Sequence, residues 1–251
     1  ADRDEFSKWS RMASSLTRPL DILRSLGAIN RMSAYLRGQI ETCRRTPRKG
    51  LIGELVAARQ DGDSLSEHEL VAMVLMLLIA GFETTANLIG AAVMTLEQHP
   101  GQKAWLLADP ANRMERAVEE LARHISPVQF TGPNFAIRDM ALHGQRLRRG
   151  EPAMGLIASA NTDPAVFEAA EQLRLDRFPN PHLVFSSGIH FCLGMQLARL
   201  EVQSALFRLY ARFPDLELAA PDAIPWSKRL GFRGPKSLMV RLDPAAQRLA
   251  A

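Results

Sequence analysis

The residue with the most distinctive chemistry in this chain is Cys192, which lies in the glycine-punctuated segment Phe185-Ser-Ser-Gly-Ile-His-Phe-Cys-Leu-Gly194. An amphipathic helix is predicted to follow, and a sulfur near a helix N-terminus is favoured as a thiolate by unsatisfied N–H groups and the helix dipole. Gly188 and Gly194 would let the backbone turn sharply and approach a flat ring closely. His190 is placed to donate a hydrogen bond to an anion. The pattern predicts a thiolate metal ligand, against the alternative of a buried structural cysteine.

The segment resembles the F-x-x-G-x-[HR]-x-C-x-G loop of the cytochrome P450 family, the haem-thiolate monooxygenases. Its fixed positions are occupied here by Phe185, Gly188, His190, Cys192 and Gly194. The resemblance implies that Cys192 ligates the iron of haem b, that the other four contact the cofactor, and that His190 serves a propionate. A zinc site is not predicted, because Cys43 is the only other cysteine and no His/Cys cluster completes four ligands.

A second motif, Ala80-Gly-Phe-Glu-Thr-Thr85, ends an apolar run over residues 70–82 that follows the capping box Ser66-Glu-His-Glu69. The run is shorter than the roughly 20 residues that span a bilayer, so it predicts a core helix rather than a membrane anchor. The motif resembles the family's [AG]-G-x-[DE]-T signature. This implies that Ala80 and Gly81 lie against the haem, that Gly81 lets the helix open, and that Glu83 and Thr84 supply protons to the oxygen being activated.

A third motif is Glu119-Glu120-Leu-Ala-Arg123, in which Glu120 and Arg123 share a helix face at i, i+3 and can pair. Such pairs are common on surface helices and carry little information alone. Its place between the other two motifs matches the family's E-x-x-R helix. Arg177, in Leu175-Asp-Arg-Phe-Pro-Asn-Pro181, matches the arginine that completes the family's buried Glu-Arg-Arg triad.

One position departs from the family pattern. Where the family has an arginine that binds a haem propionate, this chain has Asn134, while Ala136 and Asp139 keep the surrounding pattern. Arg138 is expected to share the strand face of Asn134 and to substitute in part.

Composition agrees with a cytoplasmic protein. The net charge is +4, the basic residues are scattered without a recognition motif, and nucleic-acid binding is not predicted. Two cysteines in 251 residues indicate a reducing compartment. No signal sequence or membrane anchor is visible.

The expected fold class is mainly α with minor β-sheet (α+β), in a cytochrome P450 fold whose N-terminal part is absent. A single domain over 1–251 is expected, with lid-type helices at 1–60, the oxygen-binding helix at 66–98, the E-x-x-R helix at 110–126, strands and meander at 127–184, the haem-thiolate loop and proximal helix at 185–213, and C-terminal strands at 214–251.

The resemblance implies a monooxygenase that inserts one oxygen atom of O2 into a small, largely apolar substrate. Electrons would come from a ferredoxin or flavoprotein attracted by Arg199, Arg208 and Arg212. Ile79, Ala80 and Val128 would line the substrate pocket. Two alternatives stay open: a catalytically inactive homologue or fragment that stabilises a partner, and a peroxide-dependent haem-thiolate enzyme, which the Glu83–Thr84 pair disfavours.

Overall fold

The structure is a computed structural model that describes residues 5, 9, 19–58 and 65–243. The chain divides into two compact units. Unit 1 comprises Ala1–Glu83 together with Lys228–Leu230, and unit 2 comprises Thr84–Ser227 together with Gly231–Ala251. The first boundary falls inside one continuous helix.

Unit 1 contains helices α1 (Pro19–Arg45) and α2 (Leu51–Ala57) and the first half of α3 (Glu67–Gln98). The predicted capping box starts α3: the Ser66 backbone N–H donates to the Glu69 carboxylate at 2.9 Å, and the Glu69 N–H donates to the Ser66 hydroxyl at 3.3 Å. The core of this unit is formed by apolar residues at helical spacing on α1 and α3: Leu36, Ile40, Leu70, Val71 and Val74.

Unit 2 contains the second half of α3 and helices α4 (Pro100–Ala108), α5 (Pro110–Ile125), α6 (Ile157–Ala160) and α7 (Met195–Arg212). Its core joins α3, α5 and α7 through residues that include Ala92, Leu121 and Leu206. Helix α5 begins with a proline at its first position, where the missing N–H costs nothing, and ends at Ser126, whose φ of 46° is left-handed. This helix carries the E-x-x-R motif into the core.

The strands are short and pair antiparallel in three two-stranded sheets: β1 (Asn134–Phe135) with β4 (Pro152–Ala153), β2 (Met140–Leu142) with β3 (Gln145–Leu147), and β5 (Glu217–Leu218) with β6 (Val240–Arg241). His143 and Gly144 connect β2 to β3 with φ of 46° and 79°, as a tight hairpin turn requires. The mainly helical class with minor β-sheet is confirmed.

Among the described residues, α3 is the one helix long and apolar enough to cross a membrane by length and composition alone. Its second half is packed into the core of unit 2, with Ala91, Ala92 and Leu96 fully buried. The most apolar stretch of the helix is 17% buried, so burial is concentrated in this second half.

Candidate functional site

The cysteine loop is shaped by backbone hydrogen bonds and by one glycine. The Cys192 N–H donates to the Phe185 carbonyl at 2.9 Å, and a 3₁₀ turn covers Gly188–His190. Gly188 has φ +64° and therefore needs the left-handed freedom of glycine. Gly194 lies in the turn that leads into the next helix, but its φ of −86° is open to any residue, and an added Cβ would meet no described heavy atom within 4 Å.

Cys192 is half-buried and lies three residues before Met195, the first residue of α7. The sulfur therefore precedes the first helical turn, and the Met195 N–H donates to the Cys192 carbonyl at 3.3 Å. Side chains around it are apolar and exposed: Ile189 is 98% exposed, Leu193 85% and Phe191 50%.

These features fit a flat apolar ligand with its own metal. No group of three or more His, Cys, Asp or Glu in the described ranges can hold a metal ion by itself. A haem iron needs only one protein sulfur, because the macrocycle supplies the equatorial ligands. Exposed apolar side chains beside a half-buried sulfur, with open space at Gly194, suit such a group.

The acid–alcohol pair lies in the middle of α3, on either side of the boundary between the two units. Glu83 is buried, as an acid interrupting an apolar helix predicts, and Thr84 is half-buried. Ala80 and Gly81 are exposed. Helix α3 stays α-helical throughout, so the widening expected at Gly81 is not seen.

Sequence reasoning missed the partner of Glu83. The Arg229 guanidinium forms an ion pair with the Glu83 carboxylate within unit 1. Both side chains are largely buried, at 21% and 10% exposed. No sequence motif predicts this pairing, because Arg229 lies in an irregular segment far from Glu83 in the sequence.

The structure brings Glu120, Arg123 and Arg177 together in the interior. Arg123 donates to both Glu120 carboxylate oxygens, from Nε at 2.7 Å and from Nη2 at 2.8 Å. Arg177 Nε lies 3.1 and 3.0 Å from the same two oxygens. The Arg174 N–H and the Asn180 amide complete the set at 3.0 and 3.2 Å.

This network sets the charge of Glu120. Burial raises the pKa of the carboxyl, but the hydrogen bonds and positive charge of Arg123, the Arg174 N–H and Arg177 outweigh burial and lower it below its usual value. Arg123 also donates to the Asn161 and Ala170 carbonyls at 2.6 and 2.8 Å. The carboxylate thus ties α5 to the segment that precedes the cysteine loop.

The residues expected around the propionates are exposed. Asn134 is exposed in β1, and its amide donates to the Gly132 carbonyl at 3.3 Å. Arg138 lies in a bend after β1, so the expectation that it shares a strand face with Asn134 is wrong. His190 is exposed at the end of the 3₁₀ turn.

Arg199 is engaged inside the protein. Its guanidinium makes two hydrogen bonds to the Glu119 carboxylate, from Nε at 2.7 Å and from Nη2 at 2.6 Å. Its charge is therefore paired with Glu119, a contact that the sequence did not predict. Arg208 and Arg212 are exposed. Among the expected pocket residues, Ile79 and Val128 are half-buried and Ala80 is exposed.

The sequence profile described as Cytochrome P450 matches residues 113–228, which include the Glu120 network and the Cys192 loop. Cytochrome P450 PksS of polyketide biosynthesis, from Bacillus subtilis strain 168, is 41% identical over 243 residues. Its solved structure matches with a TM-score of 0.91. The chain belongs to the cytochrome P450 family.

Two further relatives are matched over a similar share of this chain and of their own length. The mycinamicin IV hydroxylase/epoxidase of Micromonospora griseorubida is 38% identical over 96% of this chain and 60% of its own. A structure of P450BioI with an acyl carrier protein ligated to hexadec-9Z-enoic acid matches with a TM-score of 0.89 and 35% identity, covering 95% of this chain and 62% of that one. PksS is likewise matched over 96% of this chain and 60% of its own. This P450 chain thus spans about three fifths of the length of these relatives.

Proposed function

We propose that the chain belongs to a haem-thiolate monooxygenase that inserts one oxygen atom of O2 into a small, largely apolar organic molecule. The observation that carries the proposal is the half-buried Cys192 in a glycine-turned loop, surrounded by exposed apolar side chains. Haem b, bound with Cys192 as its sulfur ligand, supplies the iron that activates oxygen. Phe185, Gly188, His190, Gly194, Ala80 and Gly81 are the other residues proposed to contact it.

The protein's own part in the reaction is to hold the sulfur and to move protons. Cys192 would hold the haem iron as a thiolate ligand, and electron donation from such a ligand would favour O–O cleavage. The Thr84 hydroxyl donates a hydrogen bond toward the reacting oxygen, and the Glu83 carboxylate passes protons to it from solvent. Arg229 holds that carboxylate in place.

The substrate is proposed to be apolar, in line with relatives that are named for polyketide biosynthesis and for mycinamicin hydroxylation. A carrier-bound acyl chain is a specific possibility within this class, since P450BioI was solved with an acyl carrier protein. Electrons are proposed to come from a ferredoxin or a flavoprotein in the cytoplasm, which meets the exposed arginines Arg208 and Arg212 of α7.

A second candidate is an inactive homologue that stabilises a partner. The observation that favours it is Asn134, which offers a haem propionate a neutral amide in place of a guanidinium. Retention of Cys192, Glu83 and Thr84 together argues against it, because the ion pair with Arg229 accounts for Glu83 but not for Cys192 or Thr84. A peroxide-dependent enzyme is disfavoured by the same acid–alcohol pair.

The deciding measurement is the absorption spectrum of the reduced protein under carbon monoxide. Thiolate-ligated haem gives a strongly red-shifted Soret band, which we expect for the wild type. Cys192→Ser should lose this band while staying folded, because a hydroxyl is a far poorer donor to iron. Cys43→Ser, at the half-buried cysteine of α1, is the matched control and should keep it. An unchanged band in Cys192→Ser would overturn the assignment.

A further inference from the structure

The Glu119 carboxylate, next to Glu120, binds two side chains that flank the cysteine loop, one on each side in the sequence. Arg199 donates to both of its oxygens at 2.7 and 2.6 Å. The His182 Nε2 lies 3.1 Å from Oε2. The His182 side chain is 3% exposed, that of Glu119 21% and that of Arg199 26%, so the cluster is mostly shielded from water.

Both partners of Glu119 also contact the same aromatic ring. The Arg199 guanidinium lies 5.0 Å from the centroid of the Phe185 ring, within the range of a cation–π contact. The His182 ring lies 5.8 Å from it, tilted by 50°. Phe185 is buried, and its carbonyl accepts the Cys192 N–H at 2.9 Å. Contacts therefore run without a break from the Glu119 carboxylate to the backbone of Cys192.

The cluster is separate from the Glu120 network although the two acids are neighbours. Consecutive side chains of a helix point about 100° apart, so Glu119 and Glu120 face different neighbouring side chains. Glu120 binds Arg123 and Arg177, whereas Glu119 binds His182 and Arg199. His182 precedes the cysteine loop and Arg199 follows it on α7, so Glu119 fixes both flanks of the loop to α5.

The charge of Glu119 supports this role. Burial raises the pKa of the carboxyl, but hydrogen bonds and charge from His182 and Arg199 outweigh burial and lower it below the usual value. The group is ionised at neutral pH, and a bidentate guanidinium–carboxylate pair has a fixed geometry that single hydrogen bonds lack.

We propose that Glu119 is a positioning residue for the haem thiolate: it holds His182 and Arg199 against the Phe185 ring and so holds the Cys192 backbone where the sulfur can ligate iron. This inference rests on the proposed function. It adds a second carboxylate-centred network to the Glu120 triad and gives Arg199 a role inside the protein.

The test uses the haem-loaded protein and the variants Glu119→Gln and Glu115→Gln. Glu115 is exposed one turn earlier on α5, so its variant removes the same charge without touching the cluster.

Two quantities are measured: the fraction of red-shifted Soret band in the reduced carbon monoxide complex, and the rate of haem transfer to an apo-globin. Loss of a partner that orients a metal ligand typically costs 10–100-fold in metal affinity. We expect Glu119→Gln to lose haem about tenfold faster or more and to show less of the thiolate band, with Glu115→Gln unchanged.

Two further variants separate positioning from folding. Arg199→Lys keeps the charge but loses the bidentate geometry, so it should fall between the wild type and Arg199→Met. The double variant Glu119→Gln/Arg199→Met removes both charges of the ion pair, so neither charge is left without the other, and it should keep its helix content while still losing haem faster than the wild type.

Each failure has a distinct meaning. A wild type without the red-shifted band would overturn the proposed function itself. A wild type with the band, together with Glu119→Gln or the double variant matching Glu115→Gln in both measurements, would overturn the role of Glu119 and leave the proposed function standing.

Discussion

The guanidinium of Arg229 contacts the carboxylate of Glu83, joining the C-terminal segment of the chain to the acid of the acid–alcohol pair. The short segment Lys228–Leu230, which contains Arg229, belongs to unit 1 with Glu83, although its chain neighbours on both sides belong to unit 2. The pair places a fixed positive charge beside the group proposed to carry protons.

The first prediction concerns this pair. Arg229→Gln should lower the free energy of unfolding by about 1–3 kcal/mol, because it leaves a buried carboxylate without its guanidinium partner. Lys228→Gln, at the exposed neighbouring cation, should change it by less than about 0.5 kcal/mol. Thermal unfolding of both variants, of Glu83→Gln and of the double variant measures the coupling, which should be about 0.5–3 kcal/mol. Additive effects of Glu83→Gln and Arg229→Gln on the free energy of unfolding would show that the contact between the two side chains does not stabilise the fold.

Oxygen activation supplies the second prediction. Thr84→Ala should leave substrate affinity nearly unchanged while diverting reductant to hydrogen peroxide, because it removes the hydroxyl that we propose directs protons. Glu83→Gln should slow product formation, since general acid assistance contributes about 10²–10⁴-fold. Product, peroxide and reductant are quantified together in the reconstituted enzyme. Thr85→Ala, at the next threonine, is the control, and equal product per reductant in Thr84→Ala and Thr85→Ala would remove Thr84 from the mechanism.

The third prediction is an acid-sensitive stability. The pKa of Glu119 and that of Glu120 lie below the ordinary value of 4.5, so the unfolded chain takes up protons first as the pH falls. Stability from these groups is complete above that value and is lost as the pH drops through it toward the folded-state pKa. Glu120→Gln should be destabilised by about 3–5 kcal/mol at neutral pH, because it leaves two buried guanidinium groups underpaired.

The same variant should also lose stability less steeply between about pH 5.5 and 4. Urea unfolding across this range measures both effects, with Glu115→Gln as the control that keeps the wild-type slope. A Glu120→Gln slope as steep as that of the control would contradict the assignment.

The fourth prediction addresses the missing propionate arginine at Asn134. If His190 is a principal donor, His190→Ala should release haem about tenfold faster or more, because a charge-assisted hydrogen bond contributes about 1.5–3 kcal/mol. Adding Asn134→Arg should restore part of the retention through a bidentate fork. Haem transfer to an apo-globin compares the wild type, the single and the double variant. Indistinguishable rates would mean that other groups hold the propionates.

Features governed by local spacing were predictable from sequence. The capping box at Ser66 and Glu69, the α5 helix and the Glu120–Arg123 pair each depend on residues three or four positions apart. The burial of Glu83 followed from its place in an apolar run. Arg177 was found only through the order of motifs in the family, since nothing local connects it to Glu120.

What the sequence did not reveal are pairings between distant segments. Arg229 and His182 sit in irregular stretches without periodicity, and Arg199 on α7 looked like an ordinary surface cation. The unbroken α3 at Gly81 was also unexpected, because glycine permits a helix to open but does not force it. In each case the outcome depends on which side chain the fold brings within reach.

The adjacent acids Glu119 and Glu120 should restrict which combinations of substitutions the protein tolerates. Because each acid serves its own set of partners, variants that alter position 119 should be tolerated mainly together with changes at 182 and 199, while those at 120 should accompany changes at 123 and 177. A saturation library selected for haem binding would then show two separate groups of covarying positions, although one member of each group, 119 and 120, are neighbours in the sequence.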